Sequence, residues 1–64
     1  MTIAELQAKY NAEVKAAKQL NDKPVAENRD MSADELTQMT AHLAKADGYK
    51  AQMEAVKRLD AGLS

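Results

Sequence analysis

The sequence predicts an all-α protein, a two-helix antiparallel hairpin with unequal arms, coiled-coil-like and self-associating. Three observations carry this expectation. Two capping boxes, Thr2-Ile3-Ala4-Glu5 and Ser32-Ala33-Asp34-Glu35, each open a stretch whose apolar residues recur at steps of three and four. A charged break, Glu27-Asn28-Arg29-Asp30, separates the two stretches. No third periodic segment is present in the 64 residues, so the chain reads as a single domain that acts through helix surfaces.

The first helix is expected over about residues 3–22. Thr2 caps its free amides and Glu5 reaches back to the Thr2 amide. Ile3, Leu6, Tyr10, Val14 and Leu20 form its packing face, with Ala17 on the same stripe. Pro24 removes a backbone donor and disfavours the α region at Lys23. The helix is therefore expected to end or kink at Leu20–Asp22, with a break over about residues 23–31.

The second helix is expected over about residues 33–61. Ser32 and Glu35 cap it, and Asp34 with Glu35 suits the positive end of the helix dipole. Its apolar stripe is Leu36, Met39, Leu43, Ala46, Tyr49, Met53, Val56 and Leu63, read as the self-association seam. Asp60 interrupts it near the end. Gly48 is a tolerated weak spot in mid-helix, and Gly62 a natural stop. Arms of about 28 Å and 44 Å follow from the rise per residue. The shorter arm then covers about two-thirds of the longer one, and Met53, Val56, Leu59 and Leu63 lack a partner in their own chain. Such a stripe is expected to meet another copy of the chain.

Composition narrows the function classes. There is no cysteine to staple so small a chain, which leaves association as the remaining aid to stability. Formal net charge is -1 with both signs interspersed, and no basic face is present, so no nucleic-acid partner is expected. No apolar run approaches the ~20 residues of a membrane span, and Met1–Leu6 does not read as a signal peptide. The expectation is a soluble cytoplasmic protein with no membrane partner.

No cluster of residues suits catalysis, a metal or a cofactor. His42 is the single histidine and is expected on the solvated surface beside Leu43. Asp30, Asp34 and Glu35 are explained by capping and dipole roles, and Arg29 and Asp30 can pair or cap within the connection. Thr40, Ser32 and Ser64 have no base at a workable spacing, and the two glycines are isolated. Met39 and Met53 read as gap-fillers, and Tyr10 and Tyr49 as stripe residues with wet hydroxyls.

The break Arg29-Asp30-Met31-Ser32-Ala33-Asp34-Glu35, followed by apolar Met39, Leu43, Ala46, Tyr49, Met53 and Val56 and then Lys57-Arg58, resembles the amino-terminal segment of tailed-bacteriophage major capsid proteins of the Hong Kong type. Pro24 and Gly48 depart from that pattern, in a stretch usually continuous and helical. The resemblance implies the scaffolding, or delta, domain of a longer capsid protein. Such a domain lies inside the procapsid in the bacterial host cytoplasm. It associates with copies on neighbouring subunits, directs assembly, and is removed by the phage maturation protease. Its implied partners are copies of itself, the capsid protein body and that protease. It assigns no catalytic or binding residues to this segment. The alternative is a standalone helical-hairpin regulator that binds a protein or RNA, which predicts a basic face and a tight closed oligomer. A metal-binding or enzymatic bundle predicts inward Glu/His pairs at three-residue spacing, which the sequence lacks.

Overall fold

A computed structural model describes residues 1–63. Two helices, α1 (Ile3–Ala26) and α2 (Ala33–Leu63), pack side by side as a hairpin, and no strand occurs among the described residues. The molecule is a rod of 52 × 16 × 14 Å. Glu13 in α1 meets His42 in α2, which fixes the antiparallel register. Stepping toward the N-terminus of α1 and the C-terminus of α2 from that pair brings Ile3 level with Gln52. The remainder of α2 projects beyond α1 by about 16 Å.

Both predicted caps are present. The Thr2 hydroxyl accepts from the Glu5 amide at 3.1 Å, and the Glu5 carboxylate accepts from the Thr2 amide at 3.5 Å. At α2, the Ser32 hydroxyl accepts from the Glu35 amide at 3.1 Å, and the Glu35 carboxylate accepts from the Ser32 amide at 2.9 Å. Each box satisfies amides that the first turn leaves without a helical partner.

The end of α1 differs from the sequence expectation. The helix passes through Pro24 and stops at Ala26, without ending or breaking at Leu20–Asp22. Pro24 lies in the final turn, where few helical bonds remain to be lost, and its ring is buried. The stop is a Schellman motif. Asn28 adopts a left-handed conformation at φ 51°, its amide donates to the Val25 carbonyl, and the Arg29 amide donates to the Pro24 carbonyl. Asparagine tolerates this backbone better than any residue except glycine.

The N-terminal end of α1 covers α2 further than predicted, with Gln7 and Tyr10 beside Met53. Met53 is buried and Val56 half-buried against α1, so neither is an unpartnered residue. The overhang proper holds Leu59 and Leu63. Gly62 does not stop α2, which runs to Leu63 with Gly62 at a negative φ.

The core is one line of side chains from each helix. In α1 the line is Ile3, Leu6, Tyr10, Glu13, Ala17, Leu20 and Pro24; in α2 it is Glu35, Met39, His42, Ala46, Tyr49, Met53 and Val56. Every one of these is buried or half-buried, and within each line the steps alternate between three and four, the spacing of a coiled-coil seam. Leu6 alone among the large side chains is fully buried.

Gly48 is exposed, helical and open: a Cβ there meets nothing within 4 Å. It therefore costs backbone entropy without enabling a close approach. Gly48→Ala is expected to raise the unfolding free energy by about 0.5–1 kcal/mol, measured by thermal or denaturant unfolding followed by circular dichroism.

Candidate functional site

The connection between the helices is an ordered clasp centred on Arg29. Its guanidinium grips the Glu35 carboxylate with two parallel bonds, Nη1 to Oε1 at 2.7 Å and Nη2 to Oε2 at 2.9 Å. Nε donates to Glu27 Oε1 at 2.7 Å, and Nη1 also donates to the Asp30 carbonyl at 3.1 Å. One side chain thus ties the end of α1, the connection and the first turn of α2 together. Bidentate charged pairs of this kind fix geometry as well as contributing energy. The Arg29 hydrogen bonds and the Ser32 amide hold the Glu35 carboxyl down to about 2, from an ordinary value of 4.5. Glu27 and Glu35 together push the Arg29 guanidinium further up from its already high value. The sequence expectation that Arg29 pairs within the connection is met. The six-residue span to Glu35 is not a helical spacing, so periodicity gives no sign of that partner.

The seam carries a second polar device. His42 Nδ1 lies 3.4 Å from Glu13 Oε2, and both side chains are partly buried between the helices. A carboxylate can only accept, so the bond requires a hydrogen on Nδ1. His42 is therefore a seam residue and not the solvated surface histidine expected. Sliding α2 by one heptad moves His42 from Glu13 to a position level with Leu6 or Leu20. The displaced polar groups lose each other in an apolar seam, which disfavours the slipped registers.

The predicted stripe residues divide into two groups. Met39, Ala46, Tyr49, Met53 and Val56 of α2 pack against Ile3, Leu6, Tyr10 and Leu20 of α1 within the hairpin. Leu36, Leu43 and Leu63 of α2 and Val14 of α1 are exposed. At the turn nearest each, Glu35, His42 and Glu13 hold the inward place that the sequence reading gave to Leu36, Leu43 and Val14. The reason is spacing: the alternating three–four line through Ala46, Tyr49 and Met53 extends back to His42, Met39 and Glu35. Their partners make the polar choice tolerable.

The displaced residues make the side of the hairpin apolar near the connection. Val14, Ala17, Met39 and Leu43 line a shallow groove with Lys18 and Asn21 at its rim. Leu36, one heptad before Leu43, is 53% exposed and Leu43 is 41% exposed. Lys18 is paired with Asp22 at 2.7 Å, so the rim carries little unbalanced charge. Leu59 and Leu63, on the overhang, are 65% and 86% exposed.

A compact monomer of 7.0 kDa is expected to expose about 4,000 Å². The hairpin exposes 4802 Å². The excess of roughly 750 Å² goes with the elongated shape of a two-helix rod, 52 × 16 × 14 Å.

Among the described residues, no group of His, Cys, Asp and Glu is arranged to hold a metal ion, and no helix is long and apolar enough to cross a membrane. Compared with protein-family models, with curated proteins and with solved structures, the chain matches none.

Titrating Glu35 by carboxyl NMR is expected to give an apparent pKa near 2. Arg29→Met is expected to bring it back toward 4.5. Because the folded value is depressed, the clasp contributes its full stability above 4.5 and loses it as the pH falls toward 2. The pH dependence of unfolding in that window is therefore expected to flatten in the Arg29→Met variant. An unchanged Glu35 titration in that variant contradicts the assigned partner.

Proposed function

We propose that the chain is a non-enzymatic assembly module, the scaffolding domain of a phage major capsid protein. In this reading it directs procapsid assembly by helix–helix association between copies and is later removed by the maturation protease. The observation that carries the proposal is the exposure of large apolar side chains along α2, Leu36, Leu43, Leu59 and Leu63, which have no place in the seam. The sequence resemblance adds the class of assembly. Its motif, Arg29 to Glu35, is the segment that forms the clasp, so the residues that carry the resemblance also set the turn between the two helices.

The physics of assembly suits such a surface. A narrow apolar face gives a weak, reversible contact, which lets misplaced subunits leave a growing shell. Tethering many copies to one shell raises their effective concentration, so weak contacts suffice collectively. The capsid protein body and the protease are partners of the whole protein that this reading implies, acting in the host cytoplasm and inside the procapsid.

The test is a transplant. The 64-residue chain is fused to the amino terminus of a Hong Kong type shell protein stripped of its own scaffolding segment. Electron microscopy is expected to show closed procapsid-sized shells. An unrelated monomeric hairpin in the same place is expected to give unassembled or aberrant protein. If both fusions behave alike, the scaffolding reading fails.

A further inference from the structure

The six residues between the helices, Glu27 to Ser32, include no glycine and no proline. The chain reverses on Asn28, at φ 51°, a backbone that costs asparagine more than glycine. Helical hydrogen bonding reaches into the connection from both ends: the Glu27 amide donates to the Lys23 carbonyl and the Leu36 amide to the Ser32 carbonyl. Pro24 already lies inside α1, so its missing amide is a cost the hairpin itself carries. What holds the reversal is the grip of Arg29 on Glu35, with the Ser32–Glu35 capping box beside it. Arg29 and Glu35 are six residues apart. On one continuous helix they lie about 9 Å apart along the axis and on different faces. The grip therefore exists only while the connection is reversed.

The seam also has a path through the connection. Pro24 closes the α1 line and Glu35 opens the α2 line, eleven residues later. Eleven residues make three helical turns with about 20° to spare. Steps of four, three and four put Asn28 and Met31 on that path, and Met31 is already half-buried. A helix carried straight through the connection thus presents both lines on one face.

We propose that the connection is a latch, and that opening it exchanges arms between two copies of this chain. In the exchanged pair α1 and α2 join as one helix, and each half packs against the opposite half of the second copy. A second copy is the partner because opening uncovers the seam, and the surface that complements each arm is the other arm of the same sequence. The hairpin contacts, Glu13 with His42 included, form again between copies in the same antiparallel register. That register puts the twofold axis between Glu27 and Asn28, so the two Asn28 side chains face each other. Asparagine both donates and accepts, and a single asparagine bonding its own copy is a known device of two-stranded seams. Glu27, Asp30 and Asp34 crowd the same middle stretch of both copies. Their repulsion opposes the exchange and, with the Arg29 grip, keeps the hairpin as the resting form. The inference goes beyond the assembly reading and does not depend on it. Leu36, Leu43, Leu59 and Leu63 are exposed in the hairpin and stay outside the seam in the exchanged pair.

The test couples a latch variant to seam cysteines. Ala17 and Met39 line one groove across the two helices, so Ala17→Cys with Met39→Cys reports whether α1 lies against its own α2. Oxidised at millimolar concentration, the chain carrying only these changes is expected to form its disulfide within single chains. Adding Asn28→Ala and Glu35→Leu, which disfavours the left-handed turn and removes the partner of Arg29, is expected to link chains in pairs on a non-reducing gel. Without the cysteines, the Asn28→Ala, Glu35→Leu variant is expected to keep its helical circular dichroism. Its X-ray scattering is expected to give a particle roughly 90 Å long, the length of one helix from Ile3 to Leu63, against 52 Å for the hairpin. Asn28→Gly, which eases the turn, is expected to keep the disulfide within single chains. Disulfides within single chains in the latch variant overturn the proposal. So does unfolding of that variant at millimolar concentration, because the re-formed seam needs neither the turn nor the clasp. Paired chains in the Asn28→Gly variant, or in the chain with an intact latch, overturn the latch.

Discussion

Two helices can turn only one line of side chains each toward one another, and this geometric limit governs the whole molecule. Among the described residues, the seam from Ile3 to Pro24 on α1 and from Glu35 to Val56 on α2 is the only interior available. It buries one large side chain completely, Leu6, and relies on Ala17 and Ala46 for close approach elsewhere. Remaining leucines and valines have no second layer to enter. The exposed side face and the overhang are consequences of a chain that has more apolar residues than a two-stranded seam has places.

Within that limit, polar contacts define which hairpin forms. The Arg29 clasp and the Schellman stop at Asn28 set the reversal of the chain. The Glu13–His42 pair then sets how far along the helices meet. An apolar seam of regular heptads is tolerant of sliding, because each heptad resembles the next. One polar pair in it removes that degeneracy, at some expense in stability relative to an apolar pair of the same volume. Turn and register together place Val14 beside Met39 and Leu43, and so create the apolar groove.

Much of this architecture is readable from local chemistry. The two capping boxes mark both helix starts, since Thr2 with Glu5 and Ser32 with Glu35 act within a single turn. The end of α1 is less readable. Pro24 is a helix breaker in the interior but is acceptable in a final turn that a left-handed Asn28 closes, and the deciding bonds involve backbone atoms beyond the proline. The seam is legible in period but not in phase. Val14, Leu36 and Leu43 are the stronger hydrophobes, and each lies beside Glu13, Glu35 or His42, which take the inward positions. Hydrophobicity alone assigns the wrong neighbour because it cannot foresee that Glu13 and His42 supply each other's partner, or that Arg29 supplies that of Glu35. The same phase error hides the side face, whose leucines look like core until the true seam is known.

Small-angle X-ray scattering with an absolute mass scale most directly addresses whether the hairpin associates with copies of itself. Association predicts, at high concentration, a particle of at least twice the 7.0 kDa chain mass. A particle of single-chain mass at millimolar concentration, with the 52 Å length of one rod, contradicts it.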